Sequence, residues 1–527
     1  RRTSFVPLLD EHPALANPFF NLTAGAPWTC FSRIRVALVA VTLLPLRLVL
    51  TFVNVPLALI VAQIATLGLR EADYDPLDGS PLNAWRRAIF SLVSLLVRFQ
   101  LLLFGFWRIR VKGRCASREE APIIVANHVS GLVEGMFMIQ YAKLAERSYA
   151  SNPVLAPFML ATSCIFVDRK DPDSRSVAKR ALLRRCVDNR FPQTLVFPEG
   201  TCTNGTALVQ FKVGAFAPGA AVQPVCFRYP KGSHDPSFTF PLGTAGYVLG
   251  LLLQVANHME VEYLPVYRPS DAEAKSPALY ATGVQQAIAV ALGVPTTKHA
   301  AEDVALCIAA KRMKMPLEAG TVLWQAVSES LTGLHVKEAI KVMEQFRSLD
   351  KEGAGRIDFP TFAAGVRDQT SRRISAGEIG REASAQGGGC AASLLTEEDL
   401  LGIFELMDKD SNGCIDFHEY LCGVAVLNGR GDEEQGASLK WMFESLAHGK
   451  SHFNKAQLDD LLCRAVPNLD SGRLDVLFRD ADANRDGLVS REEFINFAIR
   501  HREDIGLNAQ KLLRGLPMSL DNARSGP

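Results

Sequence analysis

Between Val36 and Leu69 the chain is apolar almost without a break, and this stretch restricts the fold more than any other. A bilayer span needs about 20 apolar residues, so the run exceeds one span yet is short for two with a turn. Pro45, Arg47, Asn54, Pro56 and Gln63 interrupt it. Proline is tolerated in lipid where neighbours satisfy the freed carbonyls, so one kinked span or a re-entrant hairpin is expected. Arg33 and Arg35 precede the run and Arg70 follows among acids, which favours neither orientation. A second stretch, Ala88 to Phe106, carries Arg98 and Gln100 in its middle. That polar pair suits an interfacial helix with a snorkelling arginine better than a lipid-facing span. A buried helix of a soluble domain is the plainer reading, but two such stretches in succession favour membrane attachment.

The remaining totals set wide limits. A chain of 527 residues holds about two to four domains. Its net charge of +1 gives no reason to invoke nucleic acid. Hydrophobic residues make up 48 % and mean hydropathy is +0.08, high for a chain with charged C-terminal segments and in keeping with local apolar runs. The 11 cysteines contain no C-x-x-C pair, which points away from a disulfide framework or zinc site and towards reduced thiols facing cytosol. The first residue is Arg1, so a leader is expected to be missing, and no K-D-E-L-type ending is present.

Residues 1–30 are Pro-rich and read as an irregular tail. From Ile109 to about Val294, strand-like and helix-like pieces alternate. Pro122–Ala126, Cys164–Asp168, Thr194–Phe197 and Val222–Phe227 read as strands. Gly131–Arg147, Asp173–Asp188 and Ala278–Leu292 read as helices. The alternation is α/β. Leu249–Ala256 is apolar, too short to span, and suited to resting on a bilayer surface.

Two turns in this region carry chemistry. Glu199-Gly200-Thr201 turns the backbone where the Thr194–Phe197 strand ends, the edge at which open α/β sheets place ligands. Gly200, Gly205 and Gly214 allow close backbone approach, and Lys212 offers a point charge suited to a phosphate. A polar turn with a solvated lysine is an equally good reading of composition alone. Asn127-His128-Val129-Ser130 sits where the first strand gives way to a helix. A histidine there can act as general base on an alcohol, or simply cap the helix. Arg169, after Cys164–Asp168, reads as a strand-end cation, and the Asp168, Asp171, Asp173 group as a polar loop.

From Lys337 to about Ala498 the text becomes amphipathic helices separated by acidic loops. Asp408–Glu419 fits the EF-hand loop at every position: Asp408, Asp410, Asn412, Asp416 and Glu419 supply oxygens, Cys414 its carbonyl, and Gly413 the sharp turn. Asp482–Glu493 fits equally, with Asp482, Asn484, Asp486, Ser490 and Glu493, and the carbonyl of Leu488. Each loop has a phenylalanine four residues before it, Phe404 and Phe478. Two weaker copies accompany them. Asp350–Thr361 has Ala354 at the fifth position and Thr361 at the twelfth, so it lacks the bidentate carboxylate. Phe443–Leu458 keeps the helix phases, but Ala447-His-Gly-Lys-Ser holds no ligands. Each intact loop is expected to pair with a degenerate one, with Ser375–Ser393 a flexible Gly- and Ser-rich insert.

Phe197-Pro-Glu-Gly-Thr-Cys-Thr-Asn204 with Phe211-Lys-Val-Gly-Ala-Phe216 resembles the third sequence block of the membrane glycerophospholipid acyltransferases of the PlsC type. The resemblance is strongest to the lysophosphatidylcholine and lysophosphatidylethanolamine acyltransferases that carry EF-hands, and runs from about Asn17 to about Ala498. It implies that Glu199, Gly200, Thr201 and Lys212 bind the glycerophosphate part of the acceptor, with Arg169 from the second block. It implies that His128 deprotonates the acceptor hydroxyl, which attacks acyl-CoA in one displacement. Val222-Gln-Pro-Val225 is similar to the fourth block and is expected to shape the acyl pocket. One departure stands out. The family places Asp five residues after the histidine; here Val133 holds that place and Glu134 comes next. Glu134 is expected to reach His128 in its stead, and a catalytically impaired, calcium-sensing relative is the alternative.

The expected architecture is an α/β acyltransferase domain, a mixed sheet flanked by helices, with N-terminal membrane helices and a C-terminal all-α EF-hand domain. The boundaries are 1–30 tail, 31–110 anchoring segments, 111–300 acyltransferase, 301–336 helical connector, 337–500 EF-hands and 501–527 tail. The expected partners are membrane lipid, lysophospholipid, acyl-CoA and calcium, at the endoplasmic reticulum or Golgi with both soluble domains cytosolic.

Overall fold

The computed structural model describes residues 17–21, 29–69, 82–139, 142–146, 165–167, 172–230, 234–240, 243–330, 334–375, 397–408, 410, 412–427, 443, 447, 451–465 and 471–501. The chain divides into two compact units, Arg1–Ala301 and Glu302–Pro527.

The first unit is built on a seven-stranded sheet in the order β1-β7-β6-β2-β5-β3-β4. The strands are β1 (Ile109–Lys112), β2 (Ile123–Ala126), β3 (Ala142–Glu146), β4 (Ile165–Val167), β5 (Thr194–Val196), β6 (Val222–Arg228) and β7 (Met259–Tyr263). All neighbours run parallel except β6 and β7, so the sheet is mixed. At its centre β2 is wholly buried. Its side chains alternate between faces, as the two-residue period of a strand requires. Ile123 and Val125 join one core with Ala181 and Leu182 of the helix Pro172–Val187 and Val284 and Ile288 of Pro277–Leu292. Ile124 and Ala126 join the other with Leu101, Phe104, Val133 and Leu251.

The long apolar run becomes a single helix, α1 (Cys30–Thr66), with Pro45 and Pro56 carried inside it. At about 1.5 Å per residue its 37 residues exceed the roughly 30 Å of a bilayer core. It is long and apolar enough to cross a membrane, and Phe31, Val41 and Phe52 are exposed along it. The re-entrant hairpin expected within this run does not form there. The hairpin is made instead between α1 and α2 (Ala84–Leu103), which pack through Ala62, Ala65, Phe90, Val93 and Val97. The polar interruptions are what pin it. Asn54 Nδ2 donates to Gln100 Oε1 and to Leu96 O, both at 3.0 Å, and Gln100 Nε2 donates to Thr51 Oγ1 at 3.0 Å. Arg47 donates to the carbonyls of Leu252, Gln254 and Val255 at 2.5–3.1 Å, closing the open end of the helix Thr244–Leu252. Arg98 is exposed.

Two other expectations change. The helix expected over Gly131–Arg147 stops at Phe137, and Ala142–Glu146 is strand β3 despite its helix-forming residues, because it fills the gap between β5 and β4. Tertiary pairing overrides local propensity there. The N-terminal tail is also not wholly irregular. Asn17–Asn21 docks on the sheet domain, with Phe19 1 % exposed. Asn204 holds it, donating from Nδ2 to Asn17 O and Phe20 O at 2.9 and 2.8 Å.

In the second unit the EF-hand loops pair as expected. Arg356–Asp358 (β8) runs antiparallel to Cys414–Asp416 (β9), and His452–Asn454 (β10) to Leu488–Ser490 (β11). Each intact loop therefore shares a short ribbon with a degenerate one. The insert Ser375–Ser393 lies outside the described residues, Ser375 excepted.

Candidate active site

Strands β5, β2 and β6 are parallel neighbours, and their carboxyl ends bring three segments together: Phe197–Thr201, Asn127–Gly131 and Tyr229. Ligand sites of open α/β sheets form at this edge. Gly131 has φ of 65°, a left-handed conformation open to glycine at little strain, and it starts α3 (Leu132–Phe137). That early start settles the Val133 question. Val133 faces the core and is fully buried. Glu134 lies in the first turn of α3 and folds back on the loop ahead of it.

The Glu134 carboxylate is fully buried and its Oε2 lies 2.8 Å from His128 Nδ1. Oε1 accepts the main-chain N–H groups of Val129 and Ser130 at 2.9 and 2.8 Å, and Gly131 N donates to Oε2 at 3.3 Å. The imidazole is thus oriented through Nδ1. It stacks on Phe197 with ring centroids 4.0 Å apart, and its side chain keeps 19 % exposure. Burial alone lowers the pKa of this ring. Contact with the Cys202 thiol and with Glu134 outweighs it, and the pKa ends well above its ordinary value. Cys202 has no part in the sequence reading, yet a Cβ on Gly131 would meet its sulphur at 3.0 Å and His128 Cε1 at 3.7 Å.

Glu199 takes a different place from the one its motif suggests. It is fully buried, and its Oε1 accepts the His128 main-chain N–H at 2.7 Å while Oε2 accepts that of Val209 at 3.4 Å. Burial pushes its carboxyl up to about 8. The group holds the His128 backbone and faces inward. Gly200, with φ of 69°, leaves room for the Lys212 stem, whose Cγ lies 3.8 Å from where a Cβ would stand. Lys212 is exposed and its main chain is tied to Pro198 O at 2.8 Å. Thr201 is partly exposed beside them. Arg169 lies outside the described residues. In the fourth block, Val222 and Val225 are buried core and the Gln223 amide bridges Arg114 O and Leu264 O.

The second unit holds its own site. Asp408, Asp410 and Glu419 bring ligand atoms within 4.8 Å of one another. Main-chain N–H groups of Asn412 and Gly413 hold the Asp408 carboxylate at 3.0 and 2.9 Å, and Asn412 Oδ1 accepts Cys414 N at 2.8 Å. Asp416 Oδ1 accepts Glu419 N at 2.8 Å. Burial pushes Glu419 up to about 7, a strain that a hard cation with oxygen ligands relieves. The Asp482 loop repeats the pattern. Asp486 and Gly487 donate to Asp482 at 3.1 and 2.9 Å, and Glu493 accepts from Asn484 N at 3.1 Å and Ser490 N at 2.9 Å. In the degenerate loop Asp350 spends its carboxylate on Gly353, Ala354 and Gly355.

A family model described as acyltransferase matches residues 108–228, and one described as EF hand matches 474–498. Lysophosphatidylcholine acyltransferase 2B of Rattus norvegicus is 31 % identical over 504 residues, covering 93 % of this chain and 89 % of that one. Lysophosphatidylcholine acyltransferase 2 of Homo sapiens is 31 % identical over 514 residues, with coverage of 95 % and 86 %. Among solved structures, the 1-acyl-sn-glycerophosphate (LPA) acyltransferase PlsC of Thermotoga maritima matches at 15 % identity and a TM-score of 0.34, covering 50 % of this chain and 96 % of that one. The chain belongs to the lysophosphatidylcholine acyltransferase family.

Proposed function

We propose that this acyltransferase moves an acyl chain from acyl-CoA to the free hydroxyl of a lysophosphatidylcholine or lysophosphatidylethanolamine at a membrane surface. The 2.8 Å contact between His128 Nδ1 and Glu134 Oε2 carries the reading. With Nδ1 engaged, Nε2 is the atom that takes the acceptor's proton as its oxygen attacks the thioester carbonyl. The bond to sulphur then breaks and CoA leaves as the thiol. His128 is the catalytic base and Glu134 its positioning residue. Gly200, Thr201, Lys212 and Arg169 receive the glycerophosphate, and Glu199 acts one layer behind by fixing the base's main chain. Since Glu134 stands in for the motif aspartate, the impaired-sensor alternative is not favoured.

Calcium binding at Asp408, Asp410, Asn412, Cys414, Asp416 and Glu419, and at Asp482, Asn484, Asp486, Leu488, Ser490 and Glu493, completes the proposal. The carboxylate cluster at the first loop supports it. Attachment runs through α1 and α2. The segment before α1 and the segment after α2 both hydrogen-bond the same sheet domain, through Asn21 N to Phe240 O at 2.7 Å and Asn257 N to Gly105 O at 2.8 Å. The helix pair therefore enters and leaves the bilayer from one side. The compartment we propose is the endoplasmic reticulum or Golgi, with the catalytic and EF-hand units in the cytosol. The thiols of Cys202, Cys226 and Cys307, which form no disulfide, support a reducing side.

The test is an assay of the purified full chain with radiolabelled acyl-CoA and a panel of lysophospholipids, lysophosphatidic acid and glycerol phosphate, with His128→Ala as control. Labelled phosphatidylcholine or phosphatidylethanolamine, lost in the control, is the expected result. No turnover on any acceptor, or turnover indifferent to the substitution, sinks the proposal.

A further inference from the structure

The donors that hold Glu134 are of two kinds. The N–H groups of Val129, Ser130 and Gly131 belong to the loop that the carboxylate itself caps, a loop anchored in turn through His128 N to Glu199, Phe238 N to Val129 O and Tyr247 to Ser130 O. The Tyr229 hydroxyl, donating to Oε1 at 3.3 Å, comes from the carboxyl end of β6, 95 residues away in the chain. Strand β6 is pinned on both sides, by β2 and by β7. Tyr229 is therefore the donor that ties the carboxylate to the rigid sheet. Its ring packs against the core that holds Val133 and Tyr247, and burial and the charge of Glu134 keep its proton in place.

The surroundings are otherwise occupied. Glu199 lies behind the His128 main chain, Cys202 lies against the ring, and Tyr247 donates to Ser130 O at 2.9 Å while touching the Ser130 hydroxyl. Lys212 is exposed on the far side of Gly200. Tyr229 supplies a side-chain hydroxyl that donates to Glu134 Oε1.

We propose that Tyr229 is a further positioning residue of the reaction: from β6 it fixes Glu134 Oε1, so that Oε2 stays aimed at His128 Nδ1 when acceptor is bound. The inference rests on His128 being the base, as proposed above. A tyrosine that merely filled the core would be replaceable by phenylalanine without consequence at the imidazole.

Full-length Tyr229→Phe is compared with wild type in detergent micelles, with radiolabelled acyl-CoA and lysophosphatidylcholine. Loss of one hydrogen bond to a charged group predicts a fall in kcat of about fivefold with the acceptor KM unchanged. Removing a donor concentrates negative charge on the carboxylate and favours the protonated ring. The acid limb of the pH–rate profile therefore moves to higher pH. Carbethoxylation of His128 by diethyl pyrocarbonate, followed by peptide mass spectrometry across pH, reads the same shift without turnover. An inactive wild type would remove the functional proposal while leaving this readout intact. A Tyr229→Phe protein whose pH midpoint matches wild type overturns the inference. So does an equal shift in Tyr247→Phe, which leaves the Tyr229 hydroxyl in place.

Discussion

The catalytic site and the cation loops solve the same problem, holding carboxylates in a fixed array, by opposite means. In the Asp408 loop every candidate ligand comes from one short stretch whose own N–H groups brace it. In the acyltransferase unit, His128, Glu199 and Tyr229 arrive from the ends of three separate strands. A local site survives only while its spacing is kept. A site assembled across a sheet tolerates a shifted residue, provided the fold can turn the replacement inward. Glu134 is that case: its register is off by one, and the glycine turn at Gly131 recovers the contact.

Substitutions in both regions and a pH profile press on this contrast. His128→Ala has the largest expected effect, a loss of about 10³-fold or more in kcat with little change in acceptor KM, read from initial rates. Glu134→Gln comes next, at about 10²-fold, since the ring keeps its place but loses its charged partner. Restoring the family spacing with Val133→Asp and Glu134→Val is expected to fail, because position 133 faces the core. A lone carboxylate there costs several kcal/mol, of order 3, visible as a lower melting temperature. Recovery of activity by that double swap would break the account of Glu134.

The loops are expected to behave in the contrary way. Glu419→Gln with Glu493→Gln weakens calcium binding by the full chain at least about tenfold by calorimetry, because each loses a bidentate carboxylate. Asp350→Asn leaves the number of sites unchanged. The smallest effect is on pH. Because the His128 pKa is raised above 6.5, the neutral, proton-accepting ring gains population as pH rises. The acid limb of kcat/KM should accordingly lie above the ordinary imidazole range, and a limb below it would contradict the combined hold of Cys202 and Glu134 on the ring.

The core strands β2, β4, β5 and β6 were legible as apolar runs, and both intact EF-hand loops as spacing, because each is a property of consecutive residues. Strand β3 was not. Ala142–Glu146 has helix-forming residues, and only the place beside β5 makes it extended. The run Val36–Leu69 was legible as one span, but its pairing with α2 was not, for a similar reason. Asn54 and Gln100 look like interruptions in the chain and become a bonded pair only when α1 lies on α2. At the site, Cys202 and Tyr229 carried no distinguishing spacing of their own, and Glu199 could not be seen to face inward.

By itself the sequence determined the class of chain: an apolar anchor, an α/β domain with a histidine at a strand end, and two complete cation loops. Periodicity and spacing are local and need no fold to be expressed. The sequence offered Glu134 as the partner of the imidazole, and the tertiary structure decided that the contact is made. That contact depends on a backbone turn at one glycine and on which side chain the sheet's core has already claimed.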